Sequence, residues 1–183
     1  MQSKILEIIK KRRSVRKFLD KAIEEEKLGA ILESARLAPS SSNSQPWHFI
    51  VVKDKELIKK LSRSGPLHIN SVISWMESAP IVIVGLAKPT LIHKVSGLLG
   101  SDCHILDLGI ALEHMVLTAE DLGLATCWVG WVDEKRVRKL LDIPKDHEVI
   151  AMLPIGYADP SYEPHQKTRK SIKEITSLNK YSK

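Results

Sequence analysis

Pro39-Ser40-Ser41-Ser42-Asn43-Ser44-Gln45-Pro46 runs directly into Trp47-His48-Phe49-Ile50-Val51-Val52. Hydroxyl and amide side chains stand between two prolines, and a hydrophobic strand follows at once. Proline fixes φ, and Ser and Asn bond to nearby backbone, so the loop can hold one shape while presenting donors and acceptors. Such a loop suits a planar ligand with polar edges. It also has the composition of an ordinary Ser-rich turn before a strand. Upstream, Leu28, Ile31, Leu32 and Ala35 recur at helical spacing behind the acidic run Glu24-Glu25-Glu26, and Pro39 ends that helix. Helix, loop and strand thus meet at this stretch.

Working outward, Ile5, Ile8, Ile9 and Arg12 predict a helix over residues 3–11. Asp54 reads as the N-cap of a helix with Leu57, Ile58 and Leu61 on its apolar face, broken by Gly65-Pro66. Residues 67–79 are ambiguous, a short helix around Trp75 being one option, and 80–86 read as a buried strand. The strongest periodicity is Ile105, Leu108, Leu112, Met115, Ala119, Leu122, with Asp102 as N-cap and Gly123 as stop. Further apolar residues off that stripe imply a helix buried on more than one side, as core or as subunit contact. Residues 125–129 read as a strand ending at Gly130. Asp133 caps a helix carrying Val137, Leu140 and Leu141, and residues 148–155 form a last strand. From Asp159 onward the chain is polar and basic, and reads as an extended arm over 159–183. Helices and strands alternate only loosely, so the class is α+β with a mixed sheet rather than a doubly wound fold. No GxGxxG, Walker A, GxSxG or HExxH motif is present.

At 183 residues the expectation is one domain, 1–183, with ordinary globular composition at 43% hydrophobic and 27% charged. The longest apolar runs are of strand length, and residues 1–10 mix lysines and a glutamate with aliphatics, unlike a signal peptide. The chain is therefore expected in the cytoplasm, away from membranes. Cys103 and Cys127 form no CxxC, so they read as small core residues, and no metal site is expected. The histidines show no metal-ligand spacing and read as structural or surface groups. A formal charge of +6 favours an anionic partner: a phosphate, a dinucleotide or a nucleic acid. The basic residues are scattered and match no nucleic-acid motif, so nucleic acid is not the expected partner.

Arg12, Arg13 and Arg16 near the start, and Lys167 and Arg169 in the tail, could converge on one anion, with Ser14 adding a hydroxyl. Each alone reads equally as a solvated basic residue. The strand end Val129-Gly130 offers backbone N–H groups that a flat heterocycle could approach.

Arg12-Arg13-Ser14-Val15-Arg16 with Phe18, the 39–47 stretch, Asp107-Leu108-Gly109-Ile110-Ala111, Gly123-Leu124-Ala125-Thr126-Cys127-Trp128-Val129-Gly130 and Leu153-Pro154-Ile155-Gly156-Tyr157 occur in one order along nearly the whole chain. Together they resemble the FMN-dependent nitroreductase family. The resemblance implies an α+β homodimer with FMN at the subunit interface and the C-terminal arm exchanged onto the partner. It implies that Arg12, Arg13 and Ser14 hold the phosphate and ribityl chain, and that Lys167 and Arg169 return to the phosphate. Arg16 would lie toward the pyrimidine. Pro39, Ser40, Ser41, Asn43 and Gln45 would reach the flavin from the other subunit, and the Val129 and Gly130 backbone would face N5. Asn70 is a further ring-contact candidate. The implied activity is electron transfer from NADH or NADPH through the flavin to a small-molecule acceptor such as a nitroaromatic or quinone. No catalytic side chain is required. Flavin fragmentation or reductive dehalogenation is the alternative within the family, and a cofactor-free nucleic-acid-binding module the alternative outside it.

Overall fold

Every residue of β2 (Ile81–Ala87) is buried, and it forms the middle of the sheet. β1 (Trp47–Val52) lies on one side of it, and β4 (Glu148–Gly156) then β3 (Ala125–Thr126) on the other, in the order β1-β2-β4-β3. The computed structural model describes residues 3–66, 69, 72–98, 100–165 and 167–181. His68 and Asn70 lie outside them.

β2 is buried on both faces because layers cover both. Ile81, Ile83 and Ala87 join the core with α2 (Glu25–Arg36) and α5 (Cys103–Asp121). The alternate residues Val82, Val84 and Leu86 join α3 (Lys55–Leu61), a 3-10 turn over Ser74–Ser78, and α6 (Glu134–Leu140). Side chains alternate across a strand, so one apolar run serves two cores. Each fully buried aliphatic side chain contributes about 1.5–3 kcal/mol of transfer free energy. Gly85 pairs with Ala151 but Leu86 with Val149, so β4 carries one extra residue there. This bulge lets both Ile150 and Ala151 pack toward α5. All four strands pair antiparallel. The mixed character of the sheet rests on one parallel bridge, Ser14 with Thr126.

Asp54 accepts from Leu57 N at 2.7 Å and Asp133 from Arg136 N at 3.1 Å, so both expected caps are made, each worth about 1 kcal/mol. Gly123 ends α5 at φ +75, where a side chain would be strained. α5 buries Leu108, Ala111, Leu112, Met115, Val116 and Ala119, on more than one face as expected. Several expectations need correction. Ile105 is not part of the buried stripe but 41% exposed, because His104, Asp107 and Leu108 take the inward face at the start of α5. Asp102 stands at the N-cap but makes no capping bond. The strand expected over 125–129 stops at Thr126, and Val129 bridges Met152 separately. Cys127 is buried, whereas Cys103 is only half-buried in the first turn of α5. α4 (Leu91–Leu98) was not expected at all.

α1 (Lys4–Lys11) forms as predicted yet buries none of its residues, leaving Ile5, Leu6 and Ile9 exposed. The arm is extended except for α7 (Ile172–Ile175), which a Ser171–Glu174 capping box starts. Ile172, Ile175, Leu178 and Tyr181 are exposed along it. No described helix is long and apolar enough to cross a membrane.

Candidate functional site

The segment after α1 is laid between two strand ends. Val15 N donates to Thr126 O at 3.0 Å, Leu19 N to Tyr157 O at 2.9 Å, and Asp159 N to Lys17 O at 3.0 Å. Val15 and Phe18 are buried pegs in that segment. Gly156 permits the approach: a Cβ there would lie 2.6 Å from Pro80 Cδ and 3.0 Å from Phe18 Cδ1. The tail then returns. Tyr162 Oη donates to Ser14 O at 3.3 Å. Lys167 Nζ donates to Ile9 O at 3.2 Å and Lys10 O at 2.9 Å, carbonyls of the last turn of α1 that lack helical partners.

The result is a cleft of about 270 Å³ lined by Arg12, Arg13, Ser14, Arg16, Pro164, His165, Lys167, Thr168 and Arg169. The five residues expected at the phosphate, Arg12, Arg13, Ser14, Lys167 and Arg169, therefore meet in one place, and Arg16 joins them. No carboxylate is among the lining residues. Arg12 reaches Ser14 Oγ only at 3.5 Å, and Arg13 NH1 is buried with no partner among the described residues. A buried donor without an acceptor costs about 1–3 kcal/mol. Desolvation pushes the Lys167 ammonium below its usual range, and Arg13, Arg12 and Arg169 push it further. Glu120 is the acid that feels this cluster; burial raises its carboxyl, while Lys167, Arg12, Lys11 and Arg13 pull it back. A cradle of crowded cations with one orphaned donor fits a phosphate dianion. Arg16 lies at the edge of the cleft, its guanidinium 5.8 Å from the Trp75 ring centroid. Burial raises the nearby Cys127 thiol, which keeps it protonated.

The Ser-rich loop lies elsewhere: Pro39, Ser40, Ser41, Asn43 and Gln45 are absent from the lining of the basic cleft. Ser41 donates to Asp107 Oδ1 from its N at 2.9 Å and its Oγ at 3.0 Å. Asp107 Oδ2 meets His93 Nε2 at 3.2 Å, and Ser44 Oγ meets the same nitrogen at 3.3 Å. Gln45 N donates to Ser40 Oγ at 2.9 Å. Ser44, His93 and Asp107 are the residue types of a hydrolytic triad, but the geometry excludes one. Both contacts fall on Nε2, whereas a triad needs the serine and the carboxylate on opposite ring nitrogens. Nδ1 accepts from Thr90 N at 3.0 Å. Among the described residues, no three His, Cys, Asp or Glu gather as a metal site requires.

Val129 does not offer the free N–H expected of it. Its N donates to Met152 O at 2.9 Å and its O accepts from Met152 N at 2.8 Å. Gly130 is exposed, with open space where a Cβ would stand. Sequence reasoning gave no role to Asp107, although a carboxylate one residue before Leu108 in an apolar helix was a visible anomaly. It also missed His93 and Tyr162, whose partners are distant in the chain, and nothing local marks them.

Residues 9–64 and 73–157 match the nitroreductase family. An FMN-dependent nitroreductase from Clostridium difficile R20291 superposes with a TM-score of 0.80 at 31% identity, covering 96% of this chain and 99% of that one. The FMN reductase [NAD(P)H] of Bacillus subtilis is 30% identical over 96% of this chain and 78% of its own length. Iodotyrosine deiodinase 1 of Sus scrofa is 25% identical over 92% of this chain and 66% of its own length. With Arg12, Arg13, Ser14 and Arg16 of the cleft and the Ser-rich loop all inside the matched residues, this chain belongs to the nitroreductase family.

Proposed function

We propose that this protein is an FMN-dependent NAD(P)H oxidoreductase, active in the cytoplasm as a homodimer with one domain, 1–183, per chain. A cleft lined by cations and by no carboxylate, with Arg13 NH1 buried and unpartnered among the described residues, carries the reading. Bound FMN would take a hydride at N5 from NADH or NADPH and return electrons, in ping-pong order, to a nitroaromatic, quinone or similar acceptor. Arg12, Arg13, Ser14, Lys167 and Arg169 hold the phosphate. Arg16 supplies positive charge toward the pyrimidine edge, where one preorganised contact is worth about 2.7–4 kcal/mol. Gly130 contributes its backbone N–H. Pro39, Ser40, Ser41, Asn43 and Gln45 cover the flavin from the partner subunit. The dimer is supported by apolar side chains this chain leaves uncovered, on α1 and along the arm, which a second copy would bury.

The visible absorbance spectrum, taken without oxygen before and after NADH and then NADPH, tests this. Oxidised-flavin bands that bleach with either nucleotide are expected. Protein that neither carries nor takes up FMN would end the reading. A flavin that does not bleach would favour the second reading, reductive dehalogenation, for which the likeness to iodotyrosine deiodinase 1 speaks. Halide release from a halogenated phenol, with the flavin first reduced by dithionite to supply the two electrons, then separates the two.

A further inference from the structure

We propose that His93 and Asp107 are positioning residues: a buried pair that fixes the Ser40–Gln45 loop in its ligand-ready shape and so sets flavin affinity. The inference rests on the FMN reading above. The loop needs an anchor. Ser42, Asn43 and Gln45 sit at φ 51, 52 and 45, and no glycine relieves them. Each such non-glycine residue costs about 1 kcal/mol or more, and persists only where surroundings over-determine it. Within the loop, Gln45 Nε2 reaches Asn43 O and Oδ1 only at 3.3 Å. Gln45 N donates to Ser40 Oγ at 2.9 Å, which shapes the loop from inside, and the bonds that fix it to the rest of the fold run from Ser41 N and Oγ to Asp107 Oδ1.

The chemistry of the pair is decided by Thr90. Its backbone N–H can only donate, so His93 Nδ1 is bare and Nε2 carries the hydrogen. That hydrogen faces Asp107 Oδ2, with Ser44 Oγ at 3.3 Å. Asp107 thus accepts from Ser41 twice and from His93 once. The side chains are 0% and 3% exposed for His93 and Asp107, so no water substitutes for a lost partner. A histidine serving only the core would not reach for a loop serine. His93 is also the only buried residue of α4, among those described. The short helix is therefore held to the fold through the ring that grips the loop.

The test compares His93→Leu, His93→Gln and Thr90→Val with the natural protein. It reads amide exchange at Ser41 and Gln45 without FMN, and the FMN dissociation constant by fluorescence quenching. Leucine removes both ring nitrogens; glutamine keeps an amide N–H near the Nε2 position. In His93→Leu the Ser41 amide should exchange at least about tenfold faster and FMN bind about tenfold to a hundredfold more weakly. His93→Gln should stay within about threefold on both. Natural exchange and affinity in His93→Leu, whatever its melting temperature, would overturn the proposal. So would a glutamine variant as impaired as the leucine one, since ring volume would then be what matters. Should His93→Leu fail to fold, Thr90→Val, which removes the hydroxyl 2.9 Å from His93 Nδ1, decides: a few-fold rise in Ser41 exchange supports the proposal, and no change defeats it. If the natural protein binds no FMN, the flavin reading falls while amide exchange still judges the positioning role.

Discussion

The basic cleft and the Ser-rich loop are both polar, and they stand in opposite states. In the cleft, cations crowd one another, Arg13 NH1 has no partner among the described residues, and no carboxylate stands in the lining, the nearby Glu120 being the acid that feels them. In the loop, Ser40, Ser41, Ser44 and Gln45 bond either to one another or to Asp107 and His93. One region is electrostatically unfinished and becomes complete with an anion. The other is finished in advance and offers a fixed shape. Affinity and orientation can thus be supplied by different parts of one chain, one through charge, the other through preorganisation.

Substitutions should therefore act oppositely in the two regions. The largest effect is expected from Arg12→Ala with Arg169→Ala. FMN should bind about a hundredfold more weakly, each lost charged hydrogen bond counting about 1.5 kcal/mol or more, while the fold is kept. Fluorescence titration beside a circular dichroism melt reads both, and unchanged affinity would remove the phosphate assignment. Next comes Arg13→Met in the FMN-free protein. Removing an unpaired buried donor should raise Tm by about 2–4 °C, for about 1 kcal/mol regained at this chain length. Asp107→Ala, on α5 where the loop is anchored, should lower it, because Ser41 N then loses its acceptor. Equal signs in scanning calorimetry would erase the contrast. The smallest effect concerns pH. The folded Lys167 loses its proton below the ordinary lysine value of 10.5. Its charged form therefore weighs against folding, so stability should rise with pH in the window just below 10.5, while anion affinity falls there. Phosphate titrations at stepped pH should show a few-fold decline that Lys167→Gln lacks.

Much of this was legible in the sequence because it is periodic or local. Val82 and Ile83 face opposite cores as alternation requires, and Asp54 and Asp133 cap the helices they precede. The arginine cluster and the tail cations were legible as chemistry, and the structure brings them together. What escaped depends on distant partners. The first turn of α5 reads apolar at Ile105 and Leu106, yet both are exposed because no described element covers them. Val129 looked like a free strand end, but Met152 takes both its backbone groups. α4 has one buried residue, and that residue is a histidine, so no hydrophobic face announced it.

The bonds from Lys167 to Ile9 and Lys10 join residues 158 and 157 positions apart. Arg12, Arg13 and Arg16 leave the ribosome long before Lys167 and Arg169, which close the cleft. Both apolar clusters consist of residues that precede Lys167. A growing chain can therefore settle its interior before it can grip an anion, and a nick near Pro164 would cost the grip before the interior. Anion binding is in this sense a readout of chain integrity: it reports that two segments far apart in the polypeptide have both arrived.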